Sequence, residues 1–173
     1  MSSNAGSVVL FLGGARSGKS RLALALAEGL SGERVYIATA EALDAEMAER
    51  IARHQADRGS HWRTLEVPLA LPETIRREGV AGRVLLVDCL TLWLTNLMLH
   101  EHDIDDATAQ LLSALEQQRG TVLLVSNEVG LGIVPENALA RRFRDEAGRL
   151  HQRVAAMANE VMFVAAGLQL RMK

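Results

Sequence analysis

The sequence predicts an α/β domain in which a mostly parallel sheet carries helices on both faces. Short β-branched runs alternate with longer stretches of helical period along the 173 residues, the pattern of parallel strands joined by helical crossovers. Several of these runs are apolar on consecutive residues rather than on alternate ones, as strands buried on both faces must be. The first run, "VVLFL", stops at two glycines and gives way to a Lys-Ser pair that heads a helical pattern. A glycine turn therefore joins the first strand to the first helix.

Each element has its own signal. The first strand covers residues 8–12, and the helix after it covers 17–30, with Leu22, Ala25, Leu26 and Gly29 on one face. A strand at 34–38 leads to a second helix at about 43–58, where Leu43, Met47 and Ile51 recur every four residues. A weaker strand lies near 64–67. The stretch "PLALPETIRREGVAG" holds two of the three prolines and is expected to be a surface connection with one short helix. The strand at 84–88 opens the most apolar stretch, "VLLVDCLTLWLTNLML", which Asp88 and Asn96 interrupt. A helix at 105–118 repeats Leu111, Leu112 and Leu115, and a strand follows at 121–126. The clearest helix, 138–158, sets Leu139, Phe143, Ala147, Leu150, Val154 and Met157 against Arg141, Arg142, Arg144 and Asp145, with Asn137 as its N-cap. A strand at 161–165 and a weak one at 169–172 complete a single domain over residues 1–173, with 1–7 as a flexible lead-in.

Composition narrows the function. Nineteen basic side chains against 21 acidic ones leave a net charge of -2, which argues against binding nucleic acid through a broad basic surface. Hydrophobic residues make up 49% but aromatics only 3%, so a sizeable core must be built from aliphatic side chains. Cys89 is the single cysteine, so no intrachain disulfide forms and a reducing cytoplasm is the expected compartment. The start "MSSNAGS" lacks the basic residues of a secretory signal, and no run reaches the roughly 18 apolar residues that a membrane span needs.

The glycine turn carries the chemistry. "GGARSGKS" fits G-x-x-x-x-G-K-[ST] at every fixed position: Gly13, Gly18, Lys19 and Ser20, with Gly14, Ala15, Arg16 and Ser17 between. Backbone N–H groups are the densest donors available for a triphosphate. Glycines let the chain wrap it without Cβ clashes, and the following helix turns its positive end toward it. Lys19 reaches the β- and γ-phosphates, while the Ser20 hydroxyl can ligate Mg²⁺. The expected fold class is therefore P-loop NTPase-like (RecA-like). "RVLLVDCLT" supplies Asp88 as the second magnesium anchor, and "LLVSNEVG" brings Asn127 and Glu128 to the same carboxyl edge, so all three segments should converge on one cleft. His54, in "EMAERIARHQADRG", falls at a helix end; by position alone it is a dipole-stabilised imidazole. The remaining histidines (His61, His100, His102 and His151) have no zinc-like spacing, and Cys89 is expected to be core rather than nucleophile.

Four segments recur in order from residue 13 to residue 155: "GGARSGKS", "YIATAEALDAEMAERIARHQADRGSHWRTLE", "LLVDCLTLWLTNLM" and "LLVSNEVGLGIVPENALARRFRDEAGRLHQRVA". In these the chain resembles the bifunctional adenosylcobinamide kinase / adenosylcobinamide-phosphate guanylyltransferase family of cobalamin biosynthesis; "HWRT", "NEVGLGIVPEN" and "FRDEAGR" are the distinctive parts. The resemblance implies two steps. ATP or GTP phosphorylates the aminopropanol hydroxyl of the corrinoid adenosylcobinamide, and GMP then passes from GTP to that phosphate, giving adenosyl-GDP-cobinamide and pyrophosphate. It makes His54 the residue that is covalently guanylylated, a role neutral imidazole suits near pH 7, although the residues do not reveal what orients it. Nucleotide contacts then fall on the phosphate loop, on Ala38, Thr39 and Ala40, on Gln55, Ala56, Asp57 and Arg58, and on Glu66 and Asp88. The family also implies a homotrimer. Where its pattern often has Glu this chain has Asp88, and where it often has Asn it has His151, leaving open whether His151 touches the corrinoid. Two rivals make different predictions: a plain P-loop small-molecule kinase with a structural His54, and a nucleotide-sensing module without catalysis. The joint presence of Lys19, Ser20 and Asp88 speaks against the second.

Overall fold

The computed structural model describes residues 6–41, 45, 48, 49, 52 and 60–173. Seven strands form one sheet: β1 (Ser7–Gly13), β2 (Glu33–Ala38), β3 (Trp62–Glu66), β4 (Arg83–Asp88), β5 (Thr121–Asn127), β6 (Glu160–Ala165) and β7 (Leu168–Arg171). Their order is β3-β2-β4-β5-β1-β6-β7. Every neighbouring pair is parallel except β6 and β7, which form an antiparallel hairpin. The described helices are α1 (Lys19–Gly29), α2 (Leu71–Glu78), α3 (Leu90–Leu99), α4 (Ile104–Gln117) and α5 (Ala138–Met157). All seven expected strands are present, each within two residues of its expected ends. The helix expected at 43–58 lies mostly outside the described residues; Ala45, Ala48, Glu49 and Ala52 within it are helical and exposed.

The sheet divides the core into two layers. Along β1, Val8, Leu10 and Leu12 face one layer, while Val9 and Phe11 face the other, the two-residue alternation of a pleated strand. The first layer packs Ile37, Leu85, Val122 and Leu124 against Trp93, Leu111, Leu150 and Val154 of the helices. The second packs Phe11, Leu86 and Val125 against Ala23 and Ala27 of α1.

Three expectations change. On α1 the buried residues are Lys19, Ala23 and Ala27, while Leu26 is exposed. Small side chains let this helix lie close to the sheet, and Leu22 and Leu24 flank the contact. The stretch after Asp88 is a full helix, α3, whose Leu90, Trp93 and Leu94 are completely buried. A helix apolar on most sides shows no periodic stripe, so its pattern did not separate it from the strand before it. The connection at 68–82 is more than surface: Leu71 and Ile75 of α2 are completely buried. By contrast α5 follows its expected stripe over its later turns, with Ala147, Leu150 and Val154 buried, although Leu139 in its first turn is exposed; the Asn137 side chain caps it by accepting the Ala140 N–H at 3.0 Å.

Candidate active site

The phosphate loop emerges from β1 at the carboxyl edge of the sheet. Gly13 stands where nothing larger fits, because a Cβ there would strike the Val164 carbonyl oxygen of β6. Arg16 and Gly18 take positive φ (54° and 98°), and the reversal at Gly18 starts α1 without any side-chain cap. With no acid in that first turn either, the N-terminal amides and the positive helix end stay available for an anionic ligand. Lys19 folds back over the loop, and its Nζ donates to the Gly14 carbonyl at 2.9 Å. Burial pulls the Lys19 ammonium below its ordinary pKa, with the nearby Asp88 carboxylate opposing that shift. A buried cation with one backbone partner is primed for a polyanion.

The other walls come from neighbouring strand ends. Gly13 lies opposite Asn127 in the register of β1 and β5, and the Glu128 N–H donates to the Gly13 carbonyl at 2.9 Å. A cleft of about 570 Å³ is lined by Gly14, Ala15, Arg16, Ser17, Glu128, Val129, Leu131 and Gly132, with residues 163–166 of β6 and the turn beyond it. Asp88 ends β4, and its Oδ2 accepts the Tyr36 hydroxyl at 2.8 Å. The phosphate loop, Asp88 and residues 127–128 thus lie along one sheet edge, but of the expected convergence on one cleft only the loop and Glu128 line it, while Asp88 and Asn127 do not. Ser20 is exposed on the first turn of α1. Its hydroxyl and the Asp88 carboxylate are hard oxygen donors of the kind Mg²⁺ takes.

Behind the cleft is a tightly bonded corner. Thr39 is fully buried; its Oγ1 donates to the Cys89 carbonyl at 2.7 Å and accepts the Cys89 N–H at 2.8 Å. Asn96 holds the same corner by donating to the Thr39 and Pro68 carbonyls at 2.7 and 2.9 Å. The Thr39 hydroxyl thus fastens β2 to the end of β4, with Ala38 buried and Ala40 half-buried beside it. Cys89 is buried, and burial raises its thiol pKa, as a core cysteine requires. Glu66 sits at the end of β3, four strand spacings or roughly 19 Å from β1, on the same edge but away from the phosphate loop. His54, Gln55, Ala56, Asp57 and Arg58 lie outside the described residues. His151 is buried on α5, with its Nε2 2.7 Å from the Ser126 hydroxyl. Burial lowers its pKa, with the Glu128 charge opposing, so it is an interior neutral imidazole.

Residues 9–172 match the family model described as cobinamide kinase / cobinamide phosphate guanyltransferase. The chain belongs to that family. It is 55% identical over 166 residues to the bifunctional adenosylcobalamin biosynthesis protein CobP of Pseudomonas aeruginosa, covering 95% of this chain and 96% of that one. It is 43% identical over 181 residues to the bifunctional adenosylcobalamin biosynthesis protein CobU of Escherichia coli, covering 96% and 99%. Among solved structures it resembles a prototypical ATPase of a bacterial type III secretion system (TM-score 0.57, 14% identity), covering 96% of this chain but only 58% of that one. It also resembles the flagellar accessory protein FlaH of Methanocaldococcus jannaschii (TM-score 0.50, 14% identity), covering 92% and 71%. At such identities these likenesses concern the fold, which agrees with the expected P-loop α/β architecture. In this cobinamide kinase / guanyltransferase fold, no helix among the described residues is long and apolar enough to cross a membrane.

Proposed function

We propose that one phosphate cradle serves two consecutive reactions on a corrinoid. The observation that carries this is the phosphate loop closed by Lys19 beside Asp88 and Glu128, within a chain that matches a bifunctional family over nearly its whole length. In the first reaction the cradle holds ATP or GTP while a hydroxyl of adenosylcobinamide attacks the γ-phosphorus. The loop amides and Lys19 stabilise the charge that spreads over the transferred group. Ser20 and Asp88 would hold Mg²⁺, which when bound neutralises charge on the phosphates.

In the second reaction neutral His54 attacks the α-phosphorus of GTP. A nitrogen–phosphorus bond forms, the bond to the leaving pyrophosphate breaks, and the GMP then passes to a phosphate oxygen of the acceptor. Ala40, residues 55–58 and Glu66 contact the nucleotide in this reading, while buried Ala38 and Thr39 hold that segment in place. Because γ- and α-phosphorus are attacked in turn, either the triphosphate or the His54 segment shifts between steps. The active protein is a homotrimer of the cytoplasm.

The test is to incubate the protein with GTP labelled at the α-phosphorus, denature it, and count retained label beside a phosphorylation assay on the same sample. Acid-labile label that vanishes in His54→Ala supports both steps. Phosphorylation with no retained label leaves a plain kinase. Sedimentation equilibrium at three concentrations tests the trimer.

A further inference from the structure

A cleft that binds a polyanion gains nothing in affinity from a carboxylate in its wall; like charge opposes the ligand. Glu128 is such a carboxylate, lining the cleft beside Gly14 to Ser17 of the phosphate loop. Three contacts fix its place. Its N–H donates to the Gly13 carbonyl at 2.9 Å, its Oε1 accepts the Gly130 N–H, and Arg144 of α5 donates to the Gly130 carbonyl at 2.9 Å. These hold the turn against β1 and leave Oε2 without a hydrogen-bond partner among the described residues.

The kinase step needs a group to receive the acceptor hydroxyl's proton, and a positioned carboxylate performs that task in phosphoryl transfer. Other described candidates at this edge are committed elsewhere. Asp88 accepts from Tyr36 and is assigned to Mg²⁺ in the reading above. His151 is buried against Ser126, Glu41 pairs with His100 at 3.0 Å, and Glu66 stands four strands from β1.

We propose that Glu128 is the general base of the phosphorylation step and takes no part in guanylyl transfer. As the acceptor O–H bond breaks, its proton passes to the Glu128 carboxylate. The oxygen bonds to the γ-phosphorus, the bond from that phosphorus to the bridging oxygen breaks, and nucleoside diphosphate leaves. The open cleft then returns the proton to water. In guanylyl transfer the acceptor is already an ionised phosphate, so no proton has to be removed. This inference rests on the two-step reading above.

The experiment uses the full chain with two substrates, adenosylcobinamide plus ATP for phosphorylation, and preformed adenosylcobinamide phosphate plus GTP for guanylyl transfer. In Glu128→Gln the kcat for phosphorylation should fall by roughly 100-fold or more, with the KM for ATP unchanged or lower because a like charge is gone. Guanylyl transfer should stay within about threefold of the parent, which also demonstrates that the variant is folded. Glu128→Asp, which keeps the carboxylate, should recover part of the lost kcat. Phosphorylation by Glu128→Gln near the parent rate overturns the proposal, as does an equal loss of both steps in both variants. A parent protein that phosphorylates nothing would instead refute the two-step reading, so the two failures are distinguishable.

Discussion

The two walls that flank the phosphate loop along the sheet edge are built in opposite ways. On the β4 side, Thr39, Asn96, Tyr36 and Asp88 form a hydrogen-bonded corner in which Thr39 and Asn96 are buried. On the β5 side, beyond Glu128, Leu131, Ile133 and Val134 project into solvent, with Ile133 98% exposed. The first wall spends burial and hydrogen bonds on fixing strand ends to one another, while the second leaves apolar surface unburied. Burial and hydrogen bonds are concentrated on the side of the phosphate loop where Asp88 ends β4. The exposed wall contributes little to folding and is free to be shaped by whatever it meets.

That contrast can be broken experimentally, beginning with the largest effect. Lys19→Met should weaken nucleotide binding by roughly 100-fold or more, since charge-assisted hydrogen bonds to the phosphates are lost; calorimetric titration with GTP reads this. The same change should raise the melting temperature of the nucleotide-free protein. Burial holds the Lys19 pKa below its ordinary value, so the folded state carries a cost while Lys19 is charged, a cost that lessens as pH rises toward 10.5. Thr39→Val removes both bonds to the Cys89 backbone and should cost about 2 kcal/mol, or roughly 4–8 °C in Tm by calorimetry.

A subtler effect is set by pH. Because burial lowers the His151 pKa, the folded state binds that proton less well than the unfolded chain. The stability it supports is complete above the ordinary histidine pKa of 6.5 and is lost as pH falls through the lowered folded value. Urea unfolding between pH 7 and 5 should show this loss, and His151→Asn should flatten it. Smallest of all, Ile133→Ser should move stability by less than about 0.5 kcal/mol, because the side chain is already in water. Equal destabilisation by Ile133→Ser and Thr39→Val would erase the distinction between the two walls.

The sequence revealed the sheet and the phosphate loop for a common reason. Consecutive apolar residues in 8–12, 84–88 and 121–126 belong to strands buried on both faces, and the fixed spacing of Gly13, Gly18, Lys19 and Ser20 records a backbone geometry. What it concealed was side-chain allocation. Nothing in "IATA" says that the Thr39 hydroxyl is turned inward onto Cys89, because that bond spans fifty residues of chain. The buried face of α1 was misread because alanines, not leucines, make its contact. Glu128 was visible as a strand-end acid, but its clamp by Gly13, Gly130 and Arg144 depends on two elements meeting in space. The His54 segment lies outside the described residues, so its role rests on resemblance alone.

One feature of the topology bears on how the protein is made. β1, the first of the seven strands in chain order, is flanked by β5 and β6, which follow it by more than a hundred residues, and the Gly167 N–H donates to the Ser17 carbonyl of the phosphate loop. A nascent chain therefore carries its nucleotide signature long before it has the neighbours that shape it. Affinity for GTP should arrive only once β5 and β6 have been made, and a chain truncated before β6 would present the motif in its sequence without the receptor in its fold.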